Sequence, residues 1–60
     1  MAVPVTICIW DPHLGKKVLA DLAGEHGPYF VYESRESGYN ILVPKGEVWR
    51  FADLKECEGK

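Results

Sequence analysis

Two cysteines (Cys8, Cys57), two histidines (His13, His26) and a scatter of carboxylates are the side chains of this 60-residue chain with bond-making chemistry. A Cys8–His13 or Cys8–His26 nucleophile would need the imidazole to take the thiol proton, because the thiolate is the reactive form. Cys8 stands in the apolar run Ile7-Cys8-Ile9-Trp10, a surround that disfavours a thiolate. Asp11, Asp21, Glu25, Glu33, Glu36, Glu47 and Asp53 build no local signature with either histidine. A zinc site would have to draw together Cys8, Cys57, His13 and His26, whereas zinc ligands usually come as close pairs such as C-x₂₋₄-C. Gly24-Glu25-His26-Gly27 follows a candidate helix rather than preceding one, so its amides do not form the anion site of a helix N-terminus. The expectation is a non-enzymatic protein with no catalytic residue, no metal and no cofactor.

Binding residues are easier to nominate. Trp, Tyr and Arg dominate the energetics of protein interfaces. Trp49, Arg50 and Phe51, with Tyr32 and Lys45, form the candidate partner-binding set of a small protein-interaction or adaptor module, working with a protein partner or as a homodimer. The alternative is a nucleic-acid-binding regulator. Lys16, Lys17, Arg35, Lys45 and Arg50, interleaved with Tyr29, Tyr32, Tyr39 and Trp49, would serve a single strand, where stacking contributes about 1–3 kcal/mol per base. Nine acidic residues and a net charge of −2 weaken that alternative, since phosphate neutralisation is the main sequence-independent term. A membrane role is not expected. The apolar stretch Ala2 to Trp10 is interrupted by Pro4 and Thr6, falls short of the roughly 20 residues of a spanning helix, and has no basic n-region. The expected location is the cytoplasm, with both cysteines as free thiols. A Cys8–Cys57 bridge is open to them only if the two ends of the chain meet.

These side chains need a scaffold, and length and composition bound it. With 47% hydrophobic and 27% charged residues the chain is an ordinary folding sequence, read as one domain over residues 1–60 with a charged tail over 53–60. A domain this short buries only about 60% of the surface its unfolded chain exposes. It therefore calls for extra burial, a staple or a partner.

Val3, Val5, Ile7 and Ile9 alternate with Pro4, Thr6, Cys8 and Trp10, which reads as a strand over 3–9. Asp11-Pro12 has the form of a helix start, a capping carboxylate followed by proline at the first helical position. Leu14, Val18 and Leu22 recur at helical spacing, with Leu19 and Ala23 widening the stripe, so a helix is expected over 12–23. His26 would then sit beside that helix's C-terminal end. Gly15 disagrees with this helix, and the same residues also alternate as a strand, Val18, Ala20 and Leu22 against Lys17, Leu19 and Asp21. Tyr29–Tyr32, Tyr39–Val43 and Glu47–Phe51 read as three further strands, joined by turns at Ser34–Gly38 and Pro44–Gly46.

The preferred architecture is α+β, in the order β-α-β-β-β, with one helix packed on a small antiparallel sheet. The alternative is an all-β, SH3-like barrel, which the stretch from Gly15 through Leu54 resembles in fold alone. A helix followed by a meander over residues 14–51 resembles the small ribonuclease toxins of the double-stranded-RNA-binding fold. The turn Ser34 to Gly38 has no histidine where such a toxin needs its base, so no site is carried over. In the meander, a tip at Lys45-Gly46 would set Val43 opposite Val48 and leave both faces of the sheet apolar, one of them free for a partner.

Overall fold

A computed structural model of the chain describes residues 3–58. It contains four strands, β1 (Thr6–Asp11), β2 (Lys16–His26), β3 (Tyr29–Ser34) and β4 (Asn40–Pro44), then a 3₁₀ helix (Lys45–Phe51) and a single helical turn, α1 (Lys55–Glu58). The strands pair antiparallel in chain order, and nothing pairs β1 with β4. The sheet is thus a curled, open half-barrel, and the protein is nearly all-β. This overturns the α+β expectation, and with it the likeness to the ribonuclease toxins, which needed the helix. The barrel alternative fares no better as a closed form, because no fifth strand joins the two edges among the described residues.

The expected helix over 12–23 is a turn followed by β2. Asp11-Pro12 starts no helix, but Asp11 does cap a turn. The Asp11 carbonyl accepts from the N–H groups of Leu14 and Gly15 at 3.1 and 2.7 Å, and its carboxylate accepts from the His13 N–H at 2.8 Å. One turn is all that forms, because Gly15 takes a φ of 68° and sends the chain back along β1. From Lys16 the period-two pattern prevails. Val18 and Ala20 are buried opposite Ile9 and Ile7, while Leu14, which the helical stripe required inside, is exposed. His26 accordingly ends a strand and caps no helix.

β2 is the long element about which the sheet bends. Leu22 faces Tyr32 and Gly24 faces Val31, so Ala23 is an extra residue on one strand, a β-bulge. Bulges bend the strand that carries them and increase its twist. After it, Gly27 at φ 59° followed by Pro28 makes the two-residue link to β3, with the positive φ that a type II′ hairpin turn needs at its first central residue.

The concave face collects Ile7 and Ile9 from β1, Ala20 and Leu22 from β2, Phe30 and Tyr32 from β3, and Ile41 and Val43 from β4. The 3₁₀ helix closes this face where a third meander strand was expected. With about three residues per turn, positions three apart share a side. Val48 and Phe51 therefore both turn toward the core, Val48 fully buried. As a strand, residues 47–51 would have put Arg50 on the face of Val48. Pro44, without an N–H, and the short span to Val48 favour the tighter coil. The predicted pairing of Val43 with Val48 across a hairpin is absent, although both side chains reach the same core.

The free-thiol expectation also fails. Cys8 and Cys57 are joined in a disulfide, Cα atoms 5.8 Å apart across 49 positions of sequence. Restricting a loop of that size in the unfolded chain contributes about 4 kcal/mol in the chain-entropy model. This is the staple that so small a core calls for.

The Val48 plug yields a paired prediction. Val48→Ala should lower the unfolding free energy by about 2 kcal/mol, two methylene equivalents plus the cavity left behind. Trp49→Ala, one residue along on the exposed side, should change it by less than about 0.5 kcal/mol. Urea titrations of the two variants against the parent decide this, and equal effects would remove the 3₁₀ helix from the core.

Candidate functional site

Two places on the half-barrel bring polar chemistry together. The first is the end of the sheet where the β1–β2 and β3–β4 turns meet. Asp11 is fully buried there, yet every polar atom it presents is partnered. The Ser37 hydroxyl donates to its Oδ2 at 2.7 Å and the His13 N–H to Oδ1. Ser37 Oγ in turn accepts from the Tyr39 N–H, and Ser34 Oγ from the Ser37 N–H. Burial pushes the Asp11 carboxyl up. Hydrogen bonds from Ser37, Ser34 and the backbone at His13 and Leu14 outweigh it, so its pKa lies below the ordinary carboxylate value. Outside this buried knot, the His13 and Tyr39 rings stack with centroids 3.7 Å apart, and Lys16 pairs with Glu36 at 2.8 Å. Serine, histidine and aspartate are neighbours here, but Asp11 holds a backbone N–H of His13, and Ser37 Oγ is engaged by the Tyr39 N–H and the Asp11 carboxylate. The knot ties two hairpins; it does not present a nucleophile.

The second place is a cleft of about 230 Å³ beside the disulfide, lined by Cys8, Lys17, Arg50, Phe51, Asp53 and Glu56. Its sheet wall comes from β1 and β2: Cys8 lies on the outer face opposite Leu19, and Trp10, two residues on along that face, lies opposite Lys17. Its other wall is the end of the 3₁₀ helix and the chain leading to α1. Lys17 pairs with Glu56 across the gap. Arg50 has no carboxylate partner among the described residues. Trp10 and Trp49 are 55% and 54% exposed, an unusual amount of indole for a small domain to leave outside.

The five nominated partner-binding residues divide between these surroundings and the core. Trp49 and Arg50 are exposed on the 3₁₀ helix, and Arg50 and Phe51 line the cleft, Phe51 half-buried against the core. Tyr32 is at 0% exposure with its hydroxyl donating to the Pro4 carbonyl at 2.6 Å, so it belongs to the core and meets no partner. Burial raises its phenol pKa. Lys45 is drawn away from the cleft, paired with Glu25 and lying 5.3 Å over the Phe30 ring. Of the basic residues considered for nucleic acid, Lys16, Lys17, Arg35 and Lys45 are each in an ion pair. Arg35 grips Asp21 with two bonds of 2.8 and 2.9 Å, which lowers the Asp21 pKa, with help from the Thr6 hydroxyl.

The residues weighed for metal and catalysis do not converge: the cysteines bond each other, His13 precedes β2, and His26 is the last residue of that 11-residue strand, at its far end. Trp10 was missed as a site residue, although a strand that buries Ile7 and Ile9 must turn Trp10 to the other face. Lys17 was weighed only for nucleic acid, and its place beside Cys8 and Trp10 was hidden while residues 12–23 were read as a helix. No helix among the described residues is long and apolar enough to cross a membrane.

No family model, curated protein or solved structure matches the chain. The arrangement of the cleft therefore has to speak for itself.

The lowered carboxyls set an acid limit on stability. A carboxyl whose folded pKa lies below its unfolded value of about 3.9 stabilises the fold above that pH, and the gain is lost as pH falls through the folded pKa. For Asp11 and Asp21 the urea midpoint should be level from pH 8 to about 5 and fall below about 4. Asp11→Asn should start from a lower midpoint and show a shallower acid limb. A parallel limb would mean that Asp11 does not carry the effect.

Proposed function

We propose that the chain is a small non-enzymatic protein-interaction module that grips a partner polypeptide at the cleft beside the disulfide, through Trp10, Trp49 and Arg50. The observation that carries this reading is the pair of half-exposed indoles on elements that flank one cleft. A 60-residue domain has little apolar surface to spare, and burying either indole inside would stabilise it substantially. Trp and Arg are the residues that concentrate binding energy at the centre of interfaces. The cleft has room for one or two side chains beside Cys8 and Phe51, and the Arg50 guanidinium, which has no carboxylate partner among the described residues, favours an acidic residue next to them. The partner is thus a polypeptide segment with an apolar anchor adjoining a carboxylate. A cytoplasmic setting, expected from the sequence, is kept as part of this reading; there the bridge would be within reach of cellular dithiols.

Selection from a displayed library of random linear peptides, followed by ¹⁵N shift mapping of an enriched peptide, tests it. The expected result is enrichment of apolar–acidic pairs, with shifts concentrated at Trp10, Lys17, Trp49 and Arg50. Trp49→Ala should weaken binding at least about tenfold, the effect of losing an ordinary interface hot spot. Shifts confined to the β2–β3 end, or equal binding by Trp49→Ala, would defeat the proposal.

A further inference from the structure

The chain changes faces after the 3₁₀ helix. Val48 lies in the core on the concave side, whereas α1 lies against β1 and β2 through Cys57–Cys8 and Glu56–Lys17, which are outer-face positions of those strands. The 3₁₀ helix touches β1, β3 and β4, and α1 touches β1 and β2, so the residues between them pass around the outward edge of β1. They cover that edge without pairing to it. The backbone bonds of this segment are local, Ala52 to Trp49 and Cys57 to Leu54, and none joins it to β1 among the described residues.

The register shows what is covered. The Leu22 N–H donates to the Val5 carbonyl, so Val5, Ile7 and Ile9 direct their backbone groups to β2. Thr6, Cys8 and Trp10 alternate with them and direct theirs outward. Edge strands are normally guarded against pairing with other chains by charged side chains, bulges or a covering segment. This one has no charged side chain from Val3 to Trp10, its one proline, Pro4, lies before the strand begins, and no bulge interrupts its pairing with β2. The covering segment is its guard, and a disulfide holds that segment in place.

We propose that Cys8–Cys57 is a redox latch: when it opens, the strap of residues 52–57 leaves β1, and the bared edge pairs antiparallel with β1 of a second copy of this chain. An uncharged segment meets its own copy without repulsion, and an antiparallel arrangement centred on Cys8 sets Thr6 of one copy opposite Trp10 of the other, each donor facing an acceptor. The opening step is an exchange with a dithiol reductant. Its first thiolate attacks Sγ of Cys57, the more exposed half, and Cys8 leaves as a thiolate that takes up a proton. Its second thiolate then attacks the mixed disulfide, releasing the Cys57 thiol, and the reductant departs as the oxidised disulfide. Two electrons and two protons pass to the protein.

Sedimentation velocity across a concentration series, with ¹⁵N–¹H spectra recorded alongside, tests this on the full chain. The oxidised protein should be monomeric. Dithiothreitol-reduced protein, and Cys57→Ser without reductant, should show a concentration-dependent dimer while the β2–β4 resonances keep their dispersion. Thr6→Pro in the Cys57→Ser background removes only an outward N–H from the ladder and should restore the monomer. Thr6→Val, which loses the hydroxyl bond to Asp21 but keeps the N–H, should still dimerise. A folded, monomeric reduced protein would overturn the proposal, as would a dimer indifferent to Thr6→Pro. Collapse of the whole spectrum on reduction would also overturn it, because the bridge would then be a global staple rather than a latch.

Discussion

The curl of the sheet rests on two polar bonds thrown across its concave side. Asp11 on β1 reaches Ser37 beyond β3, and Tyr32 on β3 reaches the carbonyl of Pro4 just before β1. Each spans β2, one at either end of the strand pair. In the sheet β1 and β3 are two strand spacings apart, roughly 9–10 Å when flat, and the bonds draw them together on the concave side. The bulge at Ala23 lets β2 bend, and these bonds hold the bend. Asp11 and Tyr32 are buried, so losing its partner would leave either one an unpaired polar group in the core, which costs about 1–3 kcal/mol for a neutral group. The apolar side chains then fill the space that the curl defines, with Val48 arriving from outside the sheet as the last piece.

This arrangement explains which parts of the fold were readable from residue types. The turn at Ser34–Gly38 acts through neighbours a few positions away and was readable, whereas Asp11-Pro12 turns the chain only once, at Gly15, where a helix start was expected. Residues 12–23 were different. Leu14, Val18 and Leu22 satisfy a helix, Val18, Ala20 and Leu22 satisfy a strand, and local preference sides with the helix. What decides against the helix is pairing on both sides of β2, with β1 and with β3, a contribution that no window along the chain contains. The 3₁₀ helix misled for a related reason. Its residues are β-prone, but Val48 and Phe51 are three apart, and only knowledge of the open mouth they cover makes that spacing significant.

The candidate site was partly legible for the same reason. Trp49 and Arg50 stand out by type and remain exposed, since nothing in the core has room for them. Tyr32 and Lys45 also stood out by type, but their roles depend on distant partners, the Pro4 carbonyl and the Glu25 carboxylate. An aromatic or basic residue announces the energy it can contribute. It does not announce whether the fold itself has already used it.

The disulfide and the polar knot differ in the part of the free energy they govern. Asp11, Ser34, Ser37 and the concave apolar layer hold the folded shape directly, and none of those side chains comes from beyond the 3₁₀ helix. Cys57 belongs to a segment that adds nothing to that layer, and its bond acts largely by restricting the unfolded chain. That restriction adds to the stability of a half-barrel of this size, and its uncharged first strand needs a cover. One covalent bond meets both needs, so the conditions that weaken the domain are also those that bare its edge. A second copy laid along β1 would replace the cover with paired backbone and apolar contact, returning through association part of what the opened bridge had removed.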